Sequence, residues 1–364
     1  MLKAALLIFL FALTTAASLR CAAQTDITWH DANVFEIEGR GWTDTESPYD
    51  RLPTRAKGVV PEGVWGLGKH SAGLCVRFQT NARSVSVRWD VINDTLAMPH
   101  MPATGVSGVD LYRRTESGAW EFVQNGRPTG KINNHMSANL PASGGAQTEC
   151  LLYLPLYNGV SKLEIGTAPG SVITKAAARP EAKRLPIVYY GTSIAQGGCA
   201  SRPGMAHVAI LGRMLDRPMI NLGFSGSGKM EPEVAKFIAE LDPALFVIDC
   251  LWNIGGITGA ELSAKVATLV DTIRETHPNT PILFVGQSVV HISQAPSALE
   301  KLQETAVKQL REKGIKQLYT CPGKNLLGTD GDGTVDGVHP NDLGMRRQAE
   351  ALAPVLERLL RSGS

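Results

Sequence analysis

The hydrophobic pattern of this 364-residue chain changes period once, and the change imposes two architectures on one polypeptide. From about Gln24 to Ile173 the apolar residues fall in short alternating runs, among them GLCVRFQT, SVSVRWDV, SGVDLYRR, AWEFVQN and TECLLYLPLY. Gly, Asn and Ser turns separate these runs and no helical period appears, which predicts an antiparallel β-sandwich. After the charged, Ala-rich stretch TKAAARPEAKRLP, 174–186, strand and helix patterns alternate. Buried strand runs are PIVYYG (186–191), PMINLG (218–223), LFVIDC (245–250), PILFVG (281–286) and IKQLYT (315–320). Leu262, Val266, Leu269 and Ile273 recur at helical steps, as do Leu299, Leu302, Ala306 and Leu310, and then Met345, Ala349, Leu352, Leu356 and Leu359. Continuous apolar strands joined through helices predict an α/β unit, a five-stranded parallel sheet covered by helices on both faces. The expected organisation is a leader over 1–23, a β-sandwich over 24–178 and the α/β unit over 186–362.

The leader reads as an export signal: Lys3, the apolar run AALLIFLFAL from Ala4 to Leu13, then TTAASLRCAA. The run is too short for a bilayer span, which takes about 20 residues. Cys21-Ala22-Ala23 offers small residues where a signal peptidase reads, so cleavage is expected before Gln24 and the protein is expected in the periplasm or secreted. Lipid anchoring at Cys21 is the lesser expectation, because Arg20 stands where a small residue is wanted. No second apolar run long enough to span a membrane follows. Losing Lys3 and Arg20 with the leader takes the 36 basic residues to 34, equal to the 34 acidic ones. That balance argues against a nucleic acid partner, whose binding rests on a basic excess. Export permits disulfides. Cys75, Cys150, Cys199, Cys250 and Cys321 remain, an odd number, and Cys199 and Cys250, each following a strand of one sheet, are the expected bridged pair. The other cysteines read as small buried hydrophobes. Without C-x-x-C or H-E-x-x-H, zinc has no recognisable site.

In an open parallel sheet, reactive groups gather on loops at the carboxyl ends of strands. The first strand runs into GTSIAQGGCASRPG, which puts Ser193 one or two residues beyond it, with Gly191, Gly197 and Gly198 permitting close backbone approach. A phosphate loop would need G-x-x-x-x-G-K-[ST], and the hydrolase elbow G-x-S-x-G fails because Ala195 ends G-T-S-I-A. After the fifth strand, GDGTVDGVHPNDLG sets Asp336 and His339 three apart, just before Pro340 is expected to open a helix. That spacing lets a carboxylate hold one imidazole nitrogen while the other faces outward as a base. NLGFSGSG after the second strand offers backbone N–H groups, and DCLWN after the third offers the side-chain amide of Asn253. Both are donors of the kind a developing oxyanion requires.

Taken together and in this order, the blocks resemble the SGNH (GDSL-like) hydrolase superfamily. GTSIAQG is similar to its first block, with Thr192 where many members have Asp, and Asn221-Leu222-Gly223-Phe224-Ser225-Gly226 is similar to its second. The third block keeps only Asn253 of the usual Gly-x-Asn-Asp, and DGVH matches the fourth. The resemblance implies Ser193 as nucleophile, Asp336 and His339 as its partners, and Ser193, Gly226 and Asn253 as oxyanion donors. Gly108-Val109-Asp110-Leu111-Tyr112 is similar to the GxDLY signature of the β-rich domain that precedes one bacterial branch. That branch implies a flavodoxin-like strand order and esterase chemistry on short acyl groups, O-acetyl above all, carried by a glycan or other small ester substrate. No metal or organic cofactor is implied. An acyltransferase with the same triad, or a carbohydrate-binding protein with an inert hydrolase half, are the alternatives. Elsewhere, His100 and Met101 read first as loop packing, with lining of the site from the sandwich as the alternative, Arg202 reads first as solvated or ion-paired, with binding of an anionic sugar as the alternative, and His207 reads as structural. Most of Trp29, Trp42, Trp65, Trp89 and Trp120 read as core.

Overall fold

A computed structural model describes residues 26–141, 146–288 and 296–362. The export signal, its cleavage point before Gln24 and the Cys21 anchor lie outside the described residues.

The amino-terminal half contains β1 (Thr28–Asp31), β2 (Glu36–Glu38), α1 (Glu62–Gly68), β3 (Cys75–Thr80), β4 (Ser84–Val91) and the single-turn α2 (Ala103–Val106). It continues with β5 (Val109–Arg114), β6 (Trp120–Gly126), β7 (Asn134–Asn139), β8 (Thr148–Tyr153), β9 (Val160–Thr167) and β10 (Ile173–Lys175). Two antiparallel sheets form, ordered β1-β9-β4-β7 and β10-β3-β8-β5-β6, with β2 beside β10 on the outer edge of β3. Because successive strand residues point to opposite faces, Val85, Val87 and Trp89 of β4 meet Val76 and Phe78 of β3 and Cys150 and Leu152 of β8 between the sheets. The second sheet is buried on its other face as well. There Cys75, Tyr112, Leu151 and Tyr153 pack against the carboxy-terminal half, which is why CLLY reads as an unbroken apolar run. The strand β7 escapes the alternation test because Met136 is its one large apolar residue.

After α3 (Glu181–Arg184), the carboxy-terminal half runs β11 (Ile187–Gly191), α4 (Ser193–Gln196), α5 (His207–Leu215), β12 (Met219–Gly223), α6 (Pro232–Ile238) and β13 (Leu245–Asp249). Next come α7 (Gly259–Thr276), β14 (Ile282–Val285), α8 (Ala298–Glu312), β15 (Leu318–Cys321) and α9 (Asp342–Ser362). All five strands are parallel, in the flavodoxin-like order β12-β11-β13-β14-β15. Val188, Tyr190, Phe246 and Ile248 point to the face covered by α6, α7 and α8. Ile187, Tyr189, Leu245 and Val247 point to the face covered by α5 and α9. Trp42, Leu52, Ala56, Val60 and Val64 reach across from the amino-terminal half to join the first of these cores. The amino-terminal half thus contributes side chains to the cores on both faces of the parallel sheet.

Three expectations change. The fifth strand starts at Leu318 rather than 315, because Gly314 and Gln317 adopt φ of 92° and 55° and Ile315 is drawn into the end of α8, donating to the Leu310 carbonyl. Pro340 does not open the last helix. It pairs with Thr334, and α9 begins at Asp342. Cys199 and Cys250 are not bridged; all five described cysteines are free and buried. Cys250 packs into the α6–α7 face with its Sγ toward the Tyr190 carbonyl, whereas Cys199 lies in the loop beyond α4, within reach of the Asp336 charge. Of the five tryptophans in the amino-terminal half, Trp42 and Trp89 are buried and Trp29, Trp65 and Trp120 half-buried.

Candidate active site

Ser193 is delivered by the first strand of the parallel sheet, which lies between β12 and β13. β11 is buried along its whole length and ends at Gly191, where a Cβ would lie 2.8 Å from both the Ala195 Cβ and the Asp249 carbonyl oxygen. The chain then passes through extended Thr192, whose Oγ1 accepts the Ile194 N–H, into the single turn of α4. Gly197 closes that turn at φ 108°, a conformation costly for a residue with a side chain. Ser193 therefore sits at the head of a helical turn, where backbone N–H groups lack intrahelical partners. Its Oγ lies 2.9 Å from His339 Nε2.

The other imidazole nitrogen, Nδ1, lies 2.7 Å from Asp336 Oδ2. The second carboxylate oxygen, Oδ1, accepts the backbone N–H groups of Val338 at 2.9 Å and His339 at 2.7 Å. Partial burial raises the Asp336 carboxyl, but the His339 backbone and ring and the Val338 N–H outweigh it and hold it at about 2. A fixed anion on Nδ1 leaves Nε2 free to accept a proton. Ser193, Asp336 and His339 are thus brought into one hydrogen-bonded line.

The predicted oxyanion residues surround the next loop. Phe224 to Gly228 form a tight turn, in which Ser227 and Gly228 both donate to the Phe224 carbonyl. At its tip Gly226 has φ 67° and open space where a side chain would be. Asn253, in a 3-10 turn after β13, directs Nδ2 at the carbonyls of Phe224 and Gly228, 3.1 and 3.2 Å away. In this state the amide staples the two ends of the glycine turn.

Several residues that sequence reasoning missed hold the serine loop. Tyr157 Oη donates to the Ser193 carbonyl, and the buried Gln196 amide donates to the Leu156 carbonyl and accepts the Ser225 N–H. Gln196 Nε2 also lies 3.1 Å from His70 Nδ1. Arg51, entirely buried, donates to the carbonyls of His70, Leu67, Asn221 and Gly223, tying the amino-terminal half to the end of β12. Burial draws its guanidinium down to about 9, and burial reinforced by Arg51 draws His70 down to about 4. Nothing local marks Arg51 in SPYDRLPTRAKG.

The GxDLY aspartate explains Arg202. Asp110 is fully buried, and its Oδ2 accepts Arg202 Nη1 at 2.7 Å and the Gly204 N–H at 2.8 Å. Ser201, beside them, donates from its N–H to Asp342 at the start of α9, while its carbonyl accepts Thr104 Oγ1 of α2. His100, for which loop packing is the first reading and site lining the alternative, places its ring 6.1 Å from that of His339. Met101 does pack, fully buried.

Two family models match the chain: the GDSL-like lipase/acylhydrolase family over residues 184–357, and the GxDLY N-terminus of SGNH-hydrolase-type esterases over 27–173. Among solved structures, a GDSL-like lipase from Bacteroides ovatus has a TM-score of 0.80 at 35% identity, covering 92% of this chain and 98% of that one. The salicylyl-acyltransferase SsfX3 from a tetracycline biosynthetic pathway has a TM-score of 0.74 at 18% identity, with 92% and 97% covered. A family two carbohydrate esterase from Clostridium thermocellum, in complex with cellohexaose, has a TM-score of 0.56 at 13% identity, with 79% and 92% covered. The last two share the fold. No match to the chain was found among curated proteins.

Proposed function

The chain belongs to the GDSL-like lipase/acylhydrolase family, and on that premise we propose that it is an exported serine esterase that removes short acyl groups, O-acetyl above all, from carbohydrate. The observation that carries this reading is the unbroken line from Asp336 through His339 to the Ser193 hydroxyl, at 2.7 and 2.9 Å. In it, His339 Nε2 takes the Ser193 proton as Oγ attacks the ester carbonyl, and Asp336 holds the ring and offsets its charge. The N–H groups of Ser193 and Gly226 and the Asn253 amide stabilise the tetrahedral oxyanion, Asn253 turning one hydrogen from a turn carbonyl to the new charge. His339 then protonates the departing alcohol, and water, activated by the same base, releases the acyl group from Ser193.

Acetyl is favoured because, among the described residues, the loops around Ser193, Gly226 and Asn253 offer little apolar wall for a longer chain. Of the three large apolar residues on those loops, Phe224 and Ile254 are buried, and Trp252 is half-exposed, its Nε1 donating to Ser288 Oγ. Each further CH₂ must find apolar contact to yield its roughly 0.8 kcal/mol. Carbohydrate as the acyl carrier rests on the GxDLY-type half that borders the site. Export rests on the leader at residues 1–23, and no helix among the described residues is long and apolar enough to cross a membrane.

A panel of p-nitrophenyl esters from acetate to octanoate, followed by acetylated polysaccharides, tests this function. Acetate should give the highest kcat/KM, with a steep fall beyond about four carbons. A higher value for octanoate would replace acetyl specificity with a lipase reading. Acyl product appearing on an added sugar rather than as free acid would make the enzyme a transferase.

A further inference from the structure

We propose that His100, contributed by the β-rich half, is a specificity-determining residue that hydrogen-bonds a hydroxyl on the alcohol part of the ester. The inference rests on the esterase reading and names the residue that recognises the sugar.

The placement of His100 is built rather than incidental. Met98, Pro99, His100 and Met101 form a tight turn closed by two backbone hydrogen bonds, Met98 N–H to the Met101 carbonyl at 2.9 Å and the reverse at 3.1 Å. Met101 is 1% exposed within the core that also contains Ala200, and Met98 packs on that same core. Behind the turn, α2 lies directly on the serine loop: a Cβ on Gly105 would come within 2.3 Å of the Ala200 carbonyl oxygen and 2.9 Å of Met101 Cε. A closed turn anchored by buried Met101 and half-buried Met98 therefore presents one exposed polar side chain, His100, at its tip.

That tip lies beside His339, the base that serves the leaving group. The departing oxygen must take its proton from His339 Nε2, so it lies about 3 Å from that atom and the alcohol extends over the His339 ring. The carbonyl oxygen points instead toward Gly226 and Asn253. With ring centroids 6.1 Å apart at an interplanar angle of 48°, His100 lies alongside the His339 ring, within reach of an alcohol held there. It does not serve His339 itself, whose nitrogens are already engaged by Ser193 and Asp336. An imidazole can donate or accept, which suits a ring bearing hydroxyl groups beside the ester and offers nothing to a plain aryl alcohol.

The test compares two acetates: acetylated methyl glucoside, and p-nitrophenyl acetate, whose alcohol has no second hydroxyl. Both give the same acetyl-serine, so only acylation, reported by kcat/KM, holds the alcohol. In His100→Ala the ratio of kcat/KM for the glucoside over the p-nitrophenyl ester should fall about tenfold, equivalent to about 1.4 kcal/mol, and His100→Gln should restore most of it. A ratio within about twofold of wild type in His100→Ala overturns the assignment, as does an equal loss on both esters, which a merely structural role would produce. Wild-type activity on neither ester would overturn the esterase reading and this inference together. Activity on both with an unmoved ratio overturns His100 alone.

Discussion

Ser193 and His339 lie 2.9 Å apart, yet the loops that deliver them are fastened in opposite ways. The serine loop is buried without interruption from Thr192 to Ala200, and its partners come from far along the chain: Tyr157, Leu156, Asn221, Asp110 and Asp342. The histidine loop is largely exposed and fastens itself. Asp336 caps the N–H groups of Val338 and His339, Val335 donates to the His339 carbonyl, and Asn341 donates to the Asp332 carbonyl. Gly328, Gly331 and Gly337 supply positive φ at its bends. One half of the dyad is thus held by tertiary packing and the other by local turn chemistry, which makes their failure modes different.

The largest expected effect ignores that difference. Ser193→Ala and His339→Ala should each lower esterase turnover by about a thousandfold or more, because the two side chains act as one unit. A tenth of wild-type turnover in either, with unchanged circular dichroism, would break the pairing. Asn253→Ala should lower kcat by about a hundredfold or more with little change in KM, since a donor to the oxyanion acts in the transition state. An effect confined to KM would make Asn253 a ground-state binding residue.

Further tests separate the loops. Asp110→Ala removes a fully buried carboxylate and strands the Arg202 guanidinium and the Gly204 N–H, which should cost about 3 kcal/mol in urea unfolding. A loss below about 0.5 kcal/mol would show that the serine loop does not depend on its distant anchor.

Acid should sharpen the contrast. Burial holds His70, beneath Gln196, near about 4 and His207, the residue that opens α5, near about 3, both below the ordinary value of 6.5. The unfolded chain therefore binds protons first as pH falls below 6.5, and stability declines from there toward 4. On the histidine loop, the carboxyls of Asp330 and Asp336 are held at about 2 against an ordinary 3.8, Asp330 chiefly by Arg347. Their contribution persists until pH drops below 3.8. Melting temperature should accordingly fall between pH 7 and 5, less steeply in His207→Leu, while amide protection factors in 330–339, corrected for the intrinsic pH dependence of exchange, stay unchanged over that range. A flat melting temperature would remove the histidines from the serine-side support. The smallest effect belongs to Gly337→Ala, where the added Cβ meets open space and only the φ of 87° is penalised, about 1 kcal/mol by thermal unfolding.

What the sequence by itself determined is what near neighbours along the chain impose. Strand alternation, helical steps, the Asp336–His339 spacing and the glycines at positive φ follow from backbone geometry over a few residues, so they show in the order of letters. The tertiary structure decided everything that depends on how the sheets stack. Arg51 meets Asn221 across 170 positions, and Asp110 meets Arg202 across 92. His100 reaches the site from a loop that reads first as packing, and Cys250 joins the core under α6 and α7 while Cys199 stays in the loop beyond α4, near Asp336. A buried arginine is spelled like a solvated one, and a histidine at a turn tip does not announce what the tip faces. The energy that selects those contacts comes from burying groups of opposite character against each other, and only the assembled halves create that interior.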